Sequence, residues 1–273
     1  MALKTLDDIL AGETITPAEK DLLPKTENVG FTHLPVIILL DTSGSMSNGD
    51  AIGRVSSAIN DFLDSVTDPS ADEFHRKLRR QADICILRYG ATVEPITPST
   101  DGSFGATKTD WVAGGKLPRP ANLRINAAGS TPMGQAIVQS ADLLLNRYRG
   151  YKVSGTKAFC GLVFNLTDGE PTDMDPEGTS AQRELWQKAQ SRVSLFEAMG
   201  SKKNPYAQYI HFGTNADSCA KLRQFAGDKP LYMPTNNEED IAQRVNLLEG
   251  SDSFDKFVRF IEMSLNSIMA AEG

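Results

Sequence analysis

The chain has 273 residues, 40% of them hydrophobic and 23% charged, enough apolar material for a buried core and too much for a disordered chain or a disulfide-stapled miniprotein. A formal charge of -7 argues against nucleic acid as a partner, because phosphate backbones need a positive face. The longest apolar run, Leu34 to Leu40, is strand-sized and far short of a bilayer span, so no membrane association is expected.

Residues 1–31 are polar, with six acids against three lysines, and read as an N-terminal extension with one short amphipathic piece at Leu6 to Leu10. Asp7 and Asp8 interrupt any apolar stretch, so no signal peptide is expected. Leu34-Pro-Val-Ile-Ile-Leu-Leu40 reads as a strand buried on both faces of a parallel sheet. Ile52, Val55, Ile59, Phe62, Leu63 and Val66 then recur at helical spacing and stop before Asp68-Pro69. A second strand is expected at Ala82 to Tyr89, with Thr92 to Ile96 able to pair with it. Residues 97–129 are rich in Gly, Pro, Thr and Asn and read as a long loop insertion.

Thr131-Pro132 marks a helix start, followed by a buried strand at Ala158 to Leu166 and a long amphipathic helix from about Thr179 to Met199. A strand at Tyr206 to Phe212, a short helix at Cys219 to Phe225, a final strand around Leu231 and a closing helix from Phe254 to Met269 complete the chain. Such alternation predicts an α/β fold, a doubly wound and mostly parallel central sheet with helices on both faces. Cys85, Cys160 and Cys219 are unclustered and odd in number, which points to reduced thiols and a cytoplasmic location.

In such sheets ligands bind beyond the carboxyl ends of the strands. After Leu40 comes Asp41-Thr-Ser-Gly-Ser45, whose alternate residues Asp41, Ser43 and Ser45 can aim three oxygens at one point. After Leu166 comes Thr167-Asp168-Gly169, and between the two segments Gly129-Ser-Thr-Pro-Met-Gly134 supplies the Thr131 hydroxyl. Two carboxylates and three hydroxyls form a hard, all-oxygen set suited to Mg²⁺ or Mn²⁺. Taken singly, Asp41 is equally a turn cap, Thr131 an N-cap and Asp168-Gly169 a turn pair. The three junctions together on one sheet edge favour a metal site.

This combination resembles the von Willebrand factor A (VWA) domain family and its metal-ion-dependent adhesion site (MIDAS), with matches at Asp41, Ser43, Ser45, Thr131 and Asp168. The resemblance covers roughly residues 32–270. It implies a non-catalytic, Mg²⁺- or Mn²⁺-dependent binding module that grips an Asp or Glu of a protein partner. Leu34-Pro-Val to Asp41-Thr-Ser-Gly-Ser-Met46, Leu166-Thr-Asp-Gly-Glu-Pro-Thr-Asp173 and Phe212-Gly-Thr-Asn-Ala-Asp217 are most similar to bacterial TerY-like proteins associated with tellurium resistance. That likeness implies an adaptor in a stress-response or anti-phage system, with a kinase or phosphatase of the same system among its partners.

Two other classes stand beside that reading. A metal-dependent phosphohydrolase would want an acid two residues after Asp41, where Ser43 stands. A VWA subunit of an ATPase-driven chelatase would co-purify with its motor. An EF-hand is excluded by Met46 and Ile52 at its sixth and twelfth positions. His33, His75 and His211 lack metal-ligand spacing and are expected to be structural or solvated. Arg76-Lys-Leu-Arg-Arg80, the one basic cluster, reads as a solvated helix face, with an anionic partner as the lesser reading. Glu170 and Asp175 read as exposed loop acids, Asp173 as able to tune the site. Trp111 is either a partner anchor or tucked against the sheet edge.

Overall fold

The computed structural model describes residues 6–12, 14–27, 29–67, 73–98, 104–106, 111–117, 126–198, 205–227, 231 and 243–247. Their centre is a sheet built on β1 (Leu34–Asp41), which pairs in parallel with β2 (Ala82–Tyr89) on one side and β6 (Gly161–Thr167) on the other. Beyond β6 lie β7 (Ala207–Gly213) and β8 (Val245–Leu247), also parallel. Beyond β2 the pairing turns antiparallel, through β3 (Val93–Pro98), β4 (Phe104–Ala106) and the two-residue β5 (Val112–Ala113). The order is β4-β3-β2-β1-β6-β7-β8, with β5 on the same strand β2 as β3.

Successive side chains of a strand face opposite ways, and β1 uses both faces. Leu34, Val36, Ile38 and Leu40 meet Val55, Ile59, Phe62, Leu63 and Val66 of α3 (Ala51–Thr67) and Leu78 of α4 (Glu73–Gln81). Ile37 and Leu39 face the opposite layer, made by α5 (Met133–Ser154), α6 (Ser180–Glu197) and α7 (Ala216–Ala226). The helix starts are chemically marked. Thr179 with Gln182 forms a reciprocal capping box at α6, and Asn215 with Ser218 does so at α7. The chain is thus the doubly wound, mostly parallel α/β fold that alternation implied.

Two local readings change, and one open alternative is decided. Leu231 is buried but lies outside any strand, and the last described strand is β8, fourteen residues later. Part of the stretch 97–129 joins the sheet, since β4 pairs with β3 and β5 with β2. Trp111 is tucked in, 7% exposed, with the Arg147 guanidinium over its ring. The closing helix expected at 254–269 lies outside the described residues.

The N-terminal segment carries α1 (Leu6–Gly12) and α2 (Pro17–Leu22), and buries Leu6 in the core layer of α5. It is fastened by Arg147 of α5, which is 1% exposed and donates to the carbonyls of Pro24 and Lys25 at 3.3 and 3.0 Å. Arg147 also pairs with Asp83 at 2.5 Å, and His33 and Tyr151 reach the same carboxylate oxygen at 2.8 and 2.5 Å. Burial alone would raise the Asp83 carboxyl, but the His33, Arg147 and Tyr151 groups around it hold it below the usual carboxylate range. No helix among the described residues is long and apolar enough to cross a membrane.

Candidate metal centre

The chain runs from β1 to β2 on one side and reaches β6 on the other, so the order reverses between β1 and β6. A crevice forms at such a point, outside the carboxyl ends of the strands. Asp41 ends β1, and Asp168 immediately follows β6. The backbone turns at Ser43 into a 3-10 helix, Gly44–Asp50. Ser43 N donates to Asp41 Oδ1 at 2.8 Å, folding the loop back on its own carboxylate.

From there the oxygens run in an unbroken chain. Ser43 Oγ lies 3.0 Å from Ser45 Oγ, and the Ser45 hydroxyl donates to Asp168 Oδ1 at 2.9 Å. Thr131 borders the same space: a methyl group added to Gly169 would stand 3.3 Å from Ser45 Oγ and 3.7 Å from Thr131 Oγ1. All five residues singled out in the sequence therefore surround one locus. Asp41, Ser43 and Thr131 are buried, while Ser45 and Asp168 are half-buried.

Thr131 does not cap the following helix. The helix starts at Met133 with Pro132 at the cap position and no side-chain cap bond. Its first free amides are instead taken by Asp173, which accepts from Gly134 N at 3.0 Å and Gln135 N at 2.9 Å. Thr131 is held by its backbone: its N–H donates to Thr172 Oγ1 at 3.1 Å and its carbonyl accepts from Thr172 N at 2.9 Å. The loop after β6 thus locates Thr131 and Asp168 together.

Several contributing residues escaped the motif. Thr167 donates to Asp41 Oδ2 at 2.5 Å, fixing the second carboxylate oxygen. Asn215 Nδ2 donates to the Asp168 carbonyl at 3.1 Å, tying the start of α7 to the site. Gly129 accepts from Gly44 N at 3.0 Å and has φ +87°, and a Cβ there would lie 2.5 Å from Ala91 N, so only glycine fits. Glu170 is exposed, 3.7 Å from Lys221, and Asp175 accepts from Glu177 N within its own turn.

The electrostatics of the locus are set by its carboxylates. Burial pushes the Asp41 carboxyl up to about 6, with the charge of Asp168 adding to it and the Ser43 and Thr167 donors opposing it. Burial also raises Asp168 and Asp173. Among the described residues no Lys, Arg or His forms an ion pair with any of the three, nor is there a cluster of three or more His, Cys, Asp or Glu suited to a metal. A divalent ion here would rest on two carboxylates and on hydroxyls. Those groups do fit one: octahedral bonds of about 2.1 Å put neighbouring oxygens about 3 Å apart. Ser43, Ser45 and Asp168 show that spacing.

His33 and His211 are placed away from this chemistry. His33 pairs with Asp83, and His211, buried in β7, lies 3.2 Å from Asn165 Nδ2 through its Nδ1.

No protein-family model and no curated protein matches the chain. Solved structures are similar in shape. The proximal thread matrix protein 1 of the mussel byssus is 12% identical with a TM-score of 0.48, over 86% of this chain and 48% of that one. The open pilus adhesin SpaC of Lactobacillus rhamnosus GG is 14% identical with a TM-score of 0.51, over 89% and 31%. The manganese-loaded TRAP protein of Plasmodium vivax is 17% identical with a TM-score of 0.50, over 84% and 72%. The chain spans less than half of the first two proteins. The likenesses to SpaC and TRAP, with the sheet order above, show a VWA-like α/β fold.

Proposed function

We propose that the chain is a metal-dependent protein-binding module without catalysis of its own. The observation that carries this reading is the oxygen chain Ser43–Ser45–Asp168, set beside buried Asp41 and Thr131, with no ion pair from a Lys, Arg or His among the described residues to balance the carboxylates. Asp41, Ser43, Ser45, Thr131 and Asp168 hold Mg²⁺ or Mn²⁺, directly or through water. A divalent ion bound by only two acids keeps positive charge, which attracts a carboxylate from outside. The partner's Asp or Glu completes the shell.

The manganese carried by the TRAP structure, similar in fold, supports a divalent ion. Ser43 stands where a phosphohydrolase would keep its second acid, which supports binding over turnover. The TerY-like strings support an adaptor role in a bacterial stress-response or anti-phage system, with a kinase or phosphatase as partner. Three buried cysteines, none joined in a disulfide among the described residues, support a reducing, cytoplasmic setting.

The test is thermal unfolding of wild type and Asp41→Ala in EDTA, then with Mg²⁺ or Mn²⁺ titrated in. A ligand selective for the native state stabilises by RT ln(1 + [L]/Kd), so wild type gains stability and the variant does not. Equal responses of the two proteins overturn the site. Capture of a partner that survives EDTA overturns the metal bridge.

A further inference from the structure

A cleft of about 730 Å³ lies at the amino end of β2, lined by Glu27, Arg76, Arg79, Arg80, Gly115 and Lys116 together with the Ala113 methyl. The Asp83–Ala113 pairing fixes it there, whereas Asp41 stands at the opposite, carboxyl edge of the sheet. The basic run on α4 is therefore more than a solvated face: its three arginines border an open cavity.

The geometry follows from spacing. Arg76, Arg79 and Arg80 stand at i, i+3 and i+4 of α4, so they share one side of the helix within about one turn. The floor is low because Ala113, Gly114 and Gly115 carry nothing longer than a methyl. A Cβ on Gly115 would stand 3.3 Å from the Arg79 carbonyl oxygen, and that close approach brings the turn under the helix. Lys116 completes the lining. Arg80 is braced by the Phe31 ring, 5.5 Å from its guanidinium carbon.

Even with Arg80 set aside, Arg76, Arg79 and Lys116 face one described carboxylate, Glu27, in a chain whose overall charge is -7. Glu27 meets Lys116 at 2.7 Å, with the two side chains 44% and 65% exposed. A pair that open to water is weakly held and exchanges its anion readily. We propose that this cleft binds a compact, multiply charged phosphate anion, and that Glu27 occupies part of its place and competes with it for Lys116.

Two observations favour phosphate over an acidic peptide. The planar guanidinium fork matches phosphate oxygens in pairs, and three forks within one turn suit charges packed on adjacent phosphorus atoms. Carboxylates on one side of an extended peptide lie about 7 Å apart and would engage the arginines one at a time. The volume also suits a small ligand rather than a chain running through.

The probe is inorganic tripolyphosphate, titrated calorimetrically into the whole protein in divalent-free buffer with EDTA, so that the Asp41 site plays no part. Saturable binding to wild type is expected. Arg76→Gln, an exposed position, weakens it, and Arg76→Gln with Arg79→Gln weakens it about tenfold or more. Glu27→Gln strengthens it a few-fold, and Asp41→Ala leaves it unchanged. Absence of saturable binding overturns the proposal, as does binding indifferent to both arginine variants. Tighter binding of a hexaglutamate peptide than of tripolyphosphate also overturns it and assigns the cleft to a protein partner.

Discussion

Arg147→Met is the substitution whose outcome the geometry constrains most. The arginine is 1% exposed, pairs with Asp83 at 2.5 Å, donates to two carbonyls of the N-terminal segment and lies 4.6 Å from the Tyr151 ring centre. Methionine fills most of the volume but leaves the buried Asp83 without its cation. Breaking a buried pair from one side costs about 3–5 kcal/mol, and each lost carbonyl bond about 1 kcal/mol. Two terms offset this: Asp83 keeps His33 and Tyr151 as partners, and the Arg147 Nε, which has no hydrogen-bond partner among the described residues, is no longer buried. The net loss is about 3–5 kcal/mol, a large share of a typical folding free energy of about 5–15 kcal/mol.

For a domain of this size each kcal/mol moves Tm by roughly 2–4 °C, so a fall of about 6–20 °C is expected. Urea unfolding should show a lower midpoint with an unchanged slope. Limited trypsin digestion adds a local readout, because cleavage after Lys25 should accelerate once its carbonyl is released. The pH sign is also set. Asp83 is held below its ordinary value, so its contribution is full above about pH 4 and is lost as pH falls through the lowered value. Acid should therefore cost wild type more than the variant. A loss below about 1 kcal/mol, or unchanged trypsin sensitivity, would refute the account of Arg147 as the clasp between segment and core.

The other expectations are more local. Gly129→Ala forces a Cβ to within 2.5 Å of Ala91 N at φ +87°, so it should cost about 1–3 kcal/mol in denaturant unfolding and weaken Mg²⁺ stabilisation, since Gly129 anchors the Ser43–Ser45 turn. Asp173→Ala removes the acceptor for the first amides of α5 and should lower stability by about 0.5–2 kcal/mol, with Asp173→Asn milder. Burial, with Arg244 adding, pushes the His211 imidazole down to about 3. Its unfolded counterpart protonates near 6.5, so stability is full above that value and falls as pH drops toward 3, by about 2 kcal/mol at pH 5. In His211→Gln that slope between pH 7 and 5 should flatten, and an unchanged slope would place the acid sensitivity elsewhere.

The central strands were legible because burial on both faces leaves a near-continuous apolar run, as in β1, and because α3 repeats its apolar residues every three or four positions. The sheet margin was not. β8 has three residues with Asn246 in the middle, and its backbone pairing with β7 leaves no hydrophobic signature, whereas Leu231 is apolar and buried but belongs to no described strand. β4 and β5 are held by their neighbours, so a Gly- and Thr-rich stretch looked like loop throughout. At the candidate site the motif's spacing located five oxygen-bearing residues. Thr167 and Asn215 stayed hidden because each acts on a distant partner, a carboxylate on β1 and the carbonyl of Asp168, while Asp173, read as able to tune the site, holds the amides of α5. Thr131 misled differently, since Thr-Pro mimics a cap and first helical residue that the structure places one residue later, at Pro132 and Met133.

The position of β1 has a mechanical consequence. It is paired over eight residues with β2 and over five with β6, all in parallel register, and the loop that begins at Asp41 is its direct continuation. A partner tugging on that loop loads the strand along its own axis. Its backbone bonds to both neighbours are then strained together, in shear, rather than opened singly like a zipper. A strand bonded on one side over three residues, as β8 is among the described residues, would peel under far smaller force. A grip at the end of β1 is thus seated on the part of the sheet best able to carry tension.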